Sequence, residues 1–246
     1  MEIRCSHEPA FKEPVLIAAW PGMGYLAKIS ADYLRRRLNA KKFAEVKFFQ
    51  NAIIYKDSLA ELPSIRHRFF AVPDKDLMIC VGDAQPSTPE EALRLAEKIV
   101  DFAKRFHVKC IYTMAAYPSD YPDEPRVYGV FTDESLREEL ERHGVDFIEG
   151  EGAVNGLNGV LIGVAKSKGI DGVCLMGEIR YANVPQHLSS KAVLERLTSI
   201  LGIEIDLAQL EKRAEKIDAS IRRSLDEFQD YSEDIKKEEK KIRYIS

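Results

Sequence analysis

No run in this sequence approaches the ~18 uncharged apolar residues needed to span a bilayer. The opening MEIRCSHEPAFKEP lacks the apolar core of a signal peptide. A cytoplasmic protein is the expectation. An excess of positive charge is missing too: 36 Lys and Arg against 40 Asp and Glu leave a net charge of -4, which argues against wholesale attraction to nucleic acid. Cysteine is scarce. Cys5, Cys80, Cys110 and Cys174 share no CxxC spacing, and the last three lie inside LMICVG, VKCIYTM and GVCLMGE. They read as small buried hydrophobes in a reducing compartment. The five histidines, His7, His67, His107, His143 and His187, make no HExxH, HxH or Cys/His cluster, so no metal site is expected. There is no GxSxG nucleophile elbow.

What is present is the material of a full core. At 246 residues with 45% hydrophobic and 31% charged content, the chain can bury roughly 70% of its unfolded surface without disulfides. Short apolar runs rich in Val, Ile and aromatics predict strands over 14–20, 45–50, 76–83, 109–117, 126–133 and 172–179. Helical patterns alternate with them, over about 24–38, from the cap-like STPEE onward, from 133 or 134 to Gly144, over 153–169, and over 189–202. Between the second and third strands, AIIYKDSLAELPSIRHRFFAVPD reads as extended antiparallel hairpin material with turn breaks at Pro63 and Pro73. The pattern predicts an α/β fold, a mostly parallel sheet covered by helices on both faces, as a core domain over residues 1–205.

The segment 206–246 changes character. Leu207, Leu210, Ala214, Ile217, Ile221, Leu225, Phe228 and Ile235 recur at steps of three, four or seven amid dense charge. This predicts a helical extension whose narrow stripe packs either on its own domain or on another subunit. In the second case Leu207, Leu210, Ile217, Ile221, Leu225 and Phe228 are the oligomerisation residues. The chain then ends on Ile242, Arg243, Tyr244, Ile245 and Ser246, a frayed terminus or a plug for a partner's pocket, with apolar anchors beside a free carboxylate.

Two glycine series raise the question of an anion site. In WPGMGYLA, Gly22, Gly24 and Ala27 match the dinucleotide fingerprint between a strand and a helix. However, the second strand ends in Gln50 and Asn51, with no ribose-binding carboxylate, and the Lys-Ser/Thr pair of a P-loop is lacking. In EGAVNGLNGVLIG, Gly152, Gly156, Gly159 and Gly163 precede and enter a helix. Either series serves close backbone approach or cradles a phosphate. Asp83 and Glu178 sit at strand carboxyl ends, as acid/base groups or as caps. Without a coherent acid, base and nucleophile set, a non-enzymatic binding protein with no cofactor is expected. The alternative is a phosphorylase-like, hydrolase-like or nucleotide-dependent enzyme using the glycine turns. The loop AAYPSDYPDEPRVYG, stiffened by proline, either presents Tyr117 and Tyr121 to a partner or folds down on the domain.

PVLIAAWPGMGYLAKISADYL, VGDAQP, AAYPSDYP, AVNGLNGVLIGVAKSKGIDGVCLMGE and SSKAVLERLTSILGIEIDLAQLE, in this order, resemble the archaeal branch of the proteasome assembly chaperone family, the one named for the second eukaryotic chaperone. The resemblance runs from about residue 14 to the helical tail. It implies a phosphorylase- or hydrolase-like α/β core working as a homo-oligomer that engages proteasome α subunits or the core particle. Some members carry a C-terminal hydrophobic-Tyr-any tail that enters pockets between α subunits. Here Tyr244 is third from the end and Ile245 holds the penultimate place.

Overall fold

A computed structural model describes residues 2–49, 53–121, 123–221 and 223. In chain order the strands are β1 (Ile3–Cys5), β2 (Val15–Ala19), β3 (Lys41–Phe49), β4 (Ile54–Lys56), β5 (Leu59–Glu61), β6 (Ser64–Val72), β7 (Leu77–Gly82), β8 (Cys110–Pro118), β9 (Val127–Phe131) and β10 (Asp171–Ile179). The helices are α1 (Leu26–Arg37), α2 (Pro89–Arg105), α3 (Arg137–Arg142), α4 (Leu157–Ser167) and α5 (His187–Leu201).

Eight strands form one sheet in the order β1-β3-β6-β7-β2-β8-β10-β9. Its centre, β7-β2-β8-β10, is parallel. Strands β6, β3 and β1 add antiparallel on one side, and β9 does so on the other. VLIAA of β2 and LMICVG of β7 are buried at every position. That explains their unbroken apolar sequence, because parallel strands covered on both faces have no side to give to water. Helices α2 and α4 pack together on one face, and α1 and α5 on the other. The large cluster under α2 and α4 joins Leu16, Trp20, Phe43, Phe69, Leu95, Ile99, Phe102, Leu157 and Leu161. Each fully buried side chain of this size contributes roughly 1.5–3 kcal/mol.

Local chemistry explains the element ends. The Thr88 hydroxyl accepts from the Glu91 amide at 3.2 Å, and Pro89 opens α2 without wasting a donor. Gly202 closes α5 at φ 62°, in the left-handed region.

Several boundaries differ from the expected ones. Strand β3 starts at Lys41, not Glu45, because a register shift between Lys42 and Ala44 re-aims the strand and turns Phe43 fully inward. There Phe43 stacks on Phe102 at 6.0 Å and meets Phe69 edge-on at 6.3 Å. Strand β1 went unforeseen; it is a three-residue edge whose burial is partial. The β4–β5 turn is Asp57–Ser58, both left-handed at φ 50° and 67°, the mirror-type turn of tight hairpins without its usual glycine. Pro63 lies just beyond β5, and Pro73 lies in a short helical turn between β6 and β7. Helix α4 starts at Leu157, so Ala153 to Gly156 are loop, and Gly156 at φ 76° is the residue before the helix.

Among the described residues, those from Leu207 form a second unit. Residues 208–221 are helical, and Leu210 closes the first turn by donating its amide to the Leu207 carbonyl at 2.9 Å. At positions i, i+4, i+7 and i+11, Leu210, Ala214, Ile217 and Ile221 line one face of that helix. Among the described residues, no helix is long and apolar enough to cross a membrane.

One buried polar contact stands out in the sheet. The Trp20 indole nitrogen donates to His67 Nδ1 at 2.7 Å, with both residues fully buried. An indole nitrogen can only donate, so Nδ1 must be the bare nitrogen and Nε2 carries the proton. Burial pushes the His67 pKa down from 6.5 to about 4; Asp83 opposes this and Arg68 adds to it. The unfolded chain therefore binds more protons than the native state between those values, and stability falls as pH drops from about 6.5 towards 4. The shift corresponds to about 3 kcal/mol at most. Urea unfolding at stepped pH is expected to show this acid loss in the wild type and a flatter acid limb in His67→Gln, which keeps an acceptor for Trp20; identical limbs refute the assignment.

Candidate partner-binding surface

The carboxyl ends of β2, β7, β8 and β10 point to one edge of the sheet, where open α/β folds bind ligands. Here the loops at that edge are tied to one another by the chain's own amides. The Trp20 amide donates to Asn158 Oδ1 at 3.1 Å, and Asn158 is itself buried. Gln85 Nε2 donates to the Pro21 carbonyl at 2.7 Å, while its Oε1 accepts from Leu157 N, the first amide of α4, at 2.9 Å. The donor that would greet an anion at that helix start is therefore already used. Gly24 donates its amide to the Ala182 carbonyl at 2.6 Å and accepts from the Gln186 amide at 2.9 Å, clamping the loop after β2 to the loop after β10. At the start of α1 the Tyr25 and Leu26 amides turn back to the carbonyls of Gly22 and Met23.

The glycines of the two series divide by what surrounds them. A Cβ on Gly24, at φ 61°, would stand 2.5 Å from Gln186 Cγ; one on Gly156 would stand 2.4 Å from Gln85 Oε1, and one on Gly159 2.0 Å from the Val154 carbonyl. Close approach explains these three. It does not explain Gly152 and Gly163, whose Cβ positions meet nothing within 4 Å among the described residues, nor Gly22, where only Gln85 Nε2 is near at 3.8 Å. A glycine outside either series, Gly82, is nearly as tight as Gly159. Its Cβ would stand 2.1 Å from the Trp20 ring, so Trp20 reaches His67 only because β7 ends in glycine. The signal was legible as VGD, a glycine on a buried strand, but its partner lies 62 positions away in sequence, at Trp20.

Asp83 and Glu178 are not brought together. Asp83 holds Arg68 through two bonds of 2.6 and 3.1 Å. Glu178 is 5% exposed; one oxygen accepts from the Arg126 amide at 2.8 Å and the other from the Tyr128 hydroxyl at 3.3 Å. Burial, then the Glu178 charge, pushes the Tyr128 hydroxyl up. Strands β2 and β8 lie between β7 and β10, which separates the two carboxylates by roughly 14 Å. Asp83 is thus engaged with strand β6, and Glu178 with the start of β9. No cluster of metal-ligating residues occurs among the described residues. Burial pushes Cys174 up to about 11, far from a reactive thiolate.

What the edge offers outward is apolar and aromatic: Met23, Tyr25 and Tyr181 are each close to half exposed. Tyr25 holds φ 52°, strained for a bulky side chain. The proline-rich loop folds down: Tyr121 is buried and Arg180 lies over its ring at 4.5 Å while donating to its carbonyl. Of the expected oligomerisation residues, Leu207 precedes the helical segment, Leu210, Ile217 and Ile221 share its face, and Leu225 and Phe228 lie outside the described residues. So do Ile242, Arg243, Tyr244, Ile245 and Ser246.

Comparison with known proteins places this geometry in a family. The family model for PAC2 matches residues 16–225, and the chain belongs to the PAC2 family. It is 33% identical to Pyrococcus furiosus PbaB, described as an archaeal proteasome activator, with a TM-score of 0.79 over 91% of this chain and 98% of that one. Pyrococcus furiosus PbaA, described as an archaeal homolog of proteasome-assembly chaperone, shares the fold at 22% identity and a TM-score of 0.76, over 96% of this chain and 97% of that one. An uncharacterised protein of Methanocaldococcus jannaschii is 29% identical over 217 residues, covering 85% of this chain and 82% of that protein.

The two kinds of glycine separate by mutation. Gly24→Ala combines a left-handed backbone with a clash and is expected to cost about 2 kcal/mol or more. Gly163→Ala, at an open and exposed helical site, is expected to be neutral or to stabilise by up to about 1 kcal/mol. Denaturant midpoints of equal size and sign for the two variants contradict this division.

Proposed function

We propose that this PAC2-family chain is a non-enzymatic, homo-oligomeric chaperone or adaptor that binds the proteasome core particle or its α subunits in the cytoplasm and assists assembly or docking. The observation that carries the reading is the 33% identity to the proteasome activator PbaB over 91% of this chain. The lacing of the sheet edge supports it. Gln85, Gln186 and Asn158 pair with main-chain groups at the corner where a nucleotide or phosphate would lie, and Asp83 and Glu178 are engaged by Arg68 and by the Arg126 amide and lie far apart. A site whose donors are already satisfied internally gains little from a small anion, because a new bond must first break an old one.

On this reading the core is a rigid mount. Met23, Tyr25 and Tyr181 at the edge, together with the C-terminal residues Ile242 to Ser246, meet the proteasome, and the stripe from Leu207 to Phe228 joins copies. Large side chains with few rotatable bonds, held on short clamped loops, lose little entropy on binding.

Native mass spectrometry of the full chain mixed with proteasome α subunits of the same host is expected to show complexes containing several copies of this protein; only unmixed species overturn the proposal. Deleting Ile242 to Ser246 is expected to weaken that association if the tail is an anchor, whereas unchanged binding assigns the work to the loops. Inorganic phosphate and nucleotides are expected to leave the thermal midpoint unchanged; a saturating rise, the mass-action mark of a native-state ligand, favours an enzyme instead.

A further inference from the structure

Large apolar side chains left exposed by this fold concentrate in the segment 53–62: Ile53 (62%), Ile54, Tyr55 (78%), Leu59 (74%) and Leu62. They belong to the β4–β5 ribbon, a separate two-stranded sheet among the described residues. Its ladder sets Ile54 opposite Glu61, Tyr55 opposite Ala60 and Lys56 opposite Leu59. Continued one step, it sets Ile53 opposite Leu62, so one face carries Ile53, Tyr55, Ala60 and Leu62 and no charge. The other face alternates Ile54 and Leu59 with Lys56 and Glu61. A lone two-stranded ribbon is marginal in water, and three or more strands are needed for a sheet to hold by itself. Free edges with exposed apolar neighbours are templates for another strand.

The ribbon's own pattern identifies that strand. Pro63, which has no amide proton, follows β5, while β4 carries no proline. A strand added to β4 must set a large apolar or aromatic group beside Tyr55 and must not set a like charge directly beside Lys56. Strand β4 meets both conditions for itself. Run antiparallel about Tyr55, two copies place Tyr55 beside the second copy's Tyr55, and each Lys56 beside the other's Ile54. Lys56 and the second copy's Glu61 then share a row two strands apart, roughly 10 Å, with opposite charges. Asp57 and Glu61 against the single Lys56 give the ribbon no attraction to anionic lipid or nucleic acid.

We propose that β4 is a self-association edge, pairing antiparallel with β4 of a second copy of this chain to make a four-stranded sheet centred on Tyr55. The proposal rests on the homo-oligomeric reading above and names a seam for it. Position-specific crosslinking tests it on the full chain, with the exposed Cys5 replaced by Ser. Directly opposed cross-strand residues have Cβ atoms about 4.5–5.5 Å apart, close to disulfide geometry. Tyr55→Cys is therefore expected to give a covalent dimer under mild oxidation. Leu59→Cys, at least three strand spacings or roughly 14 Å from its counterpart, is expected to stay unlinked. Tyr55→Asp is expected to lower the assembly mass seen by light scattering. An oligomeric wild type with no Tyr55→Cys crosslink and no mass change in Tyr55→Asp overturns the seam and leaves the homo-oligomer standing. A monomeric wild type overturns both. Equal crosslinking at 55 and 59 overturns the register and with it the proposal. If Tyr55→Asp keeps its mass but no longer binds proteasome α subunits, the ribbon belongs to that partner and the self-association edge is refuted.

Discussion

The carboxyl edge of the sheet depends on placing one indole. Trp20 follows β2 fully buried and must satisfy a ring N–H and a main-chain N–H away from solvent. His67 on β6 takes the first, and Asn158 on α4 takes the second. The ring fits only because Gly82 on β7 has no side chain. One residue thus ties four elements together, and the cost of leaving either donor unpaired, about 1–3 kcal/mol, makes the arrangement hard to change piecemeal.

With Trp20 fixed, the chain turns into α1 through a corner in which Gly24 has no room for a side chain. Polar groups of this corner are paired with Gln85 and Gln186. The same architecture in which other α/β proteins build a site is here spent on joining the loops after β2, β7 and β10. Pairing internal donors with internal acceptors ties these loops together. On the proposed adaptor reading such ties are useful, since a surface that does not move on contact keeps more of its contact energy.

Apolar surface tells a complementary story. Inside, the faces of the sheet are covered by α1 with α5 and by α2 with α4, and little large apolar area is wasted. Outside, exposure is concentrated at the loops near Tyr25 and Tyr181 and on the β4–β5 ribbon. Such concentration marks places where a protein expects contact rather than water. The solvent-facing remainder is dense in mixed charge, which restricts sticking to those places.

The central strands and the crossover helices were legible because their causes are local. A parallel strand buried on both faces must be apolar throughout, as LMICVG is, and a helix start such as Ser87-Thr88-Pro89 carries its own cap. Edges were harder. Strand β1 and the first half of β3 are short or lysine-rich, and their inward residues, Phe43 above all, acquire meaning only from a neighbour strand and a register shift. The turn at Asp57–Ser58 lacked the glycine that would announce it. At the candidate site, composition could say that Gly22, Gly24 and Gly156 made sharp turns or cradled an anion, and no more, because both uses demand the same backbone freedom. What the fold adds, for Gly24 and Gly156, is close contact across the chain: Gln85, Gln186, Asn158 and Gly82 are unremarkable in sequence, and only folding brings their amides, or in one case the missing side chain, against the corner. The amino-acid order alone thus determined which segments had to be buried and how they alternate, since burial and periodicity are properties of a segment. The tertiary structure alone determined which groups pair across the edge, since hydrogen-bond satisfaction is a property of pairs that the sequence keeps far apart.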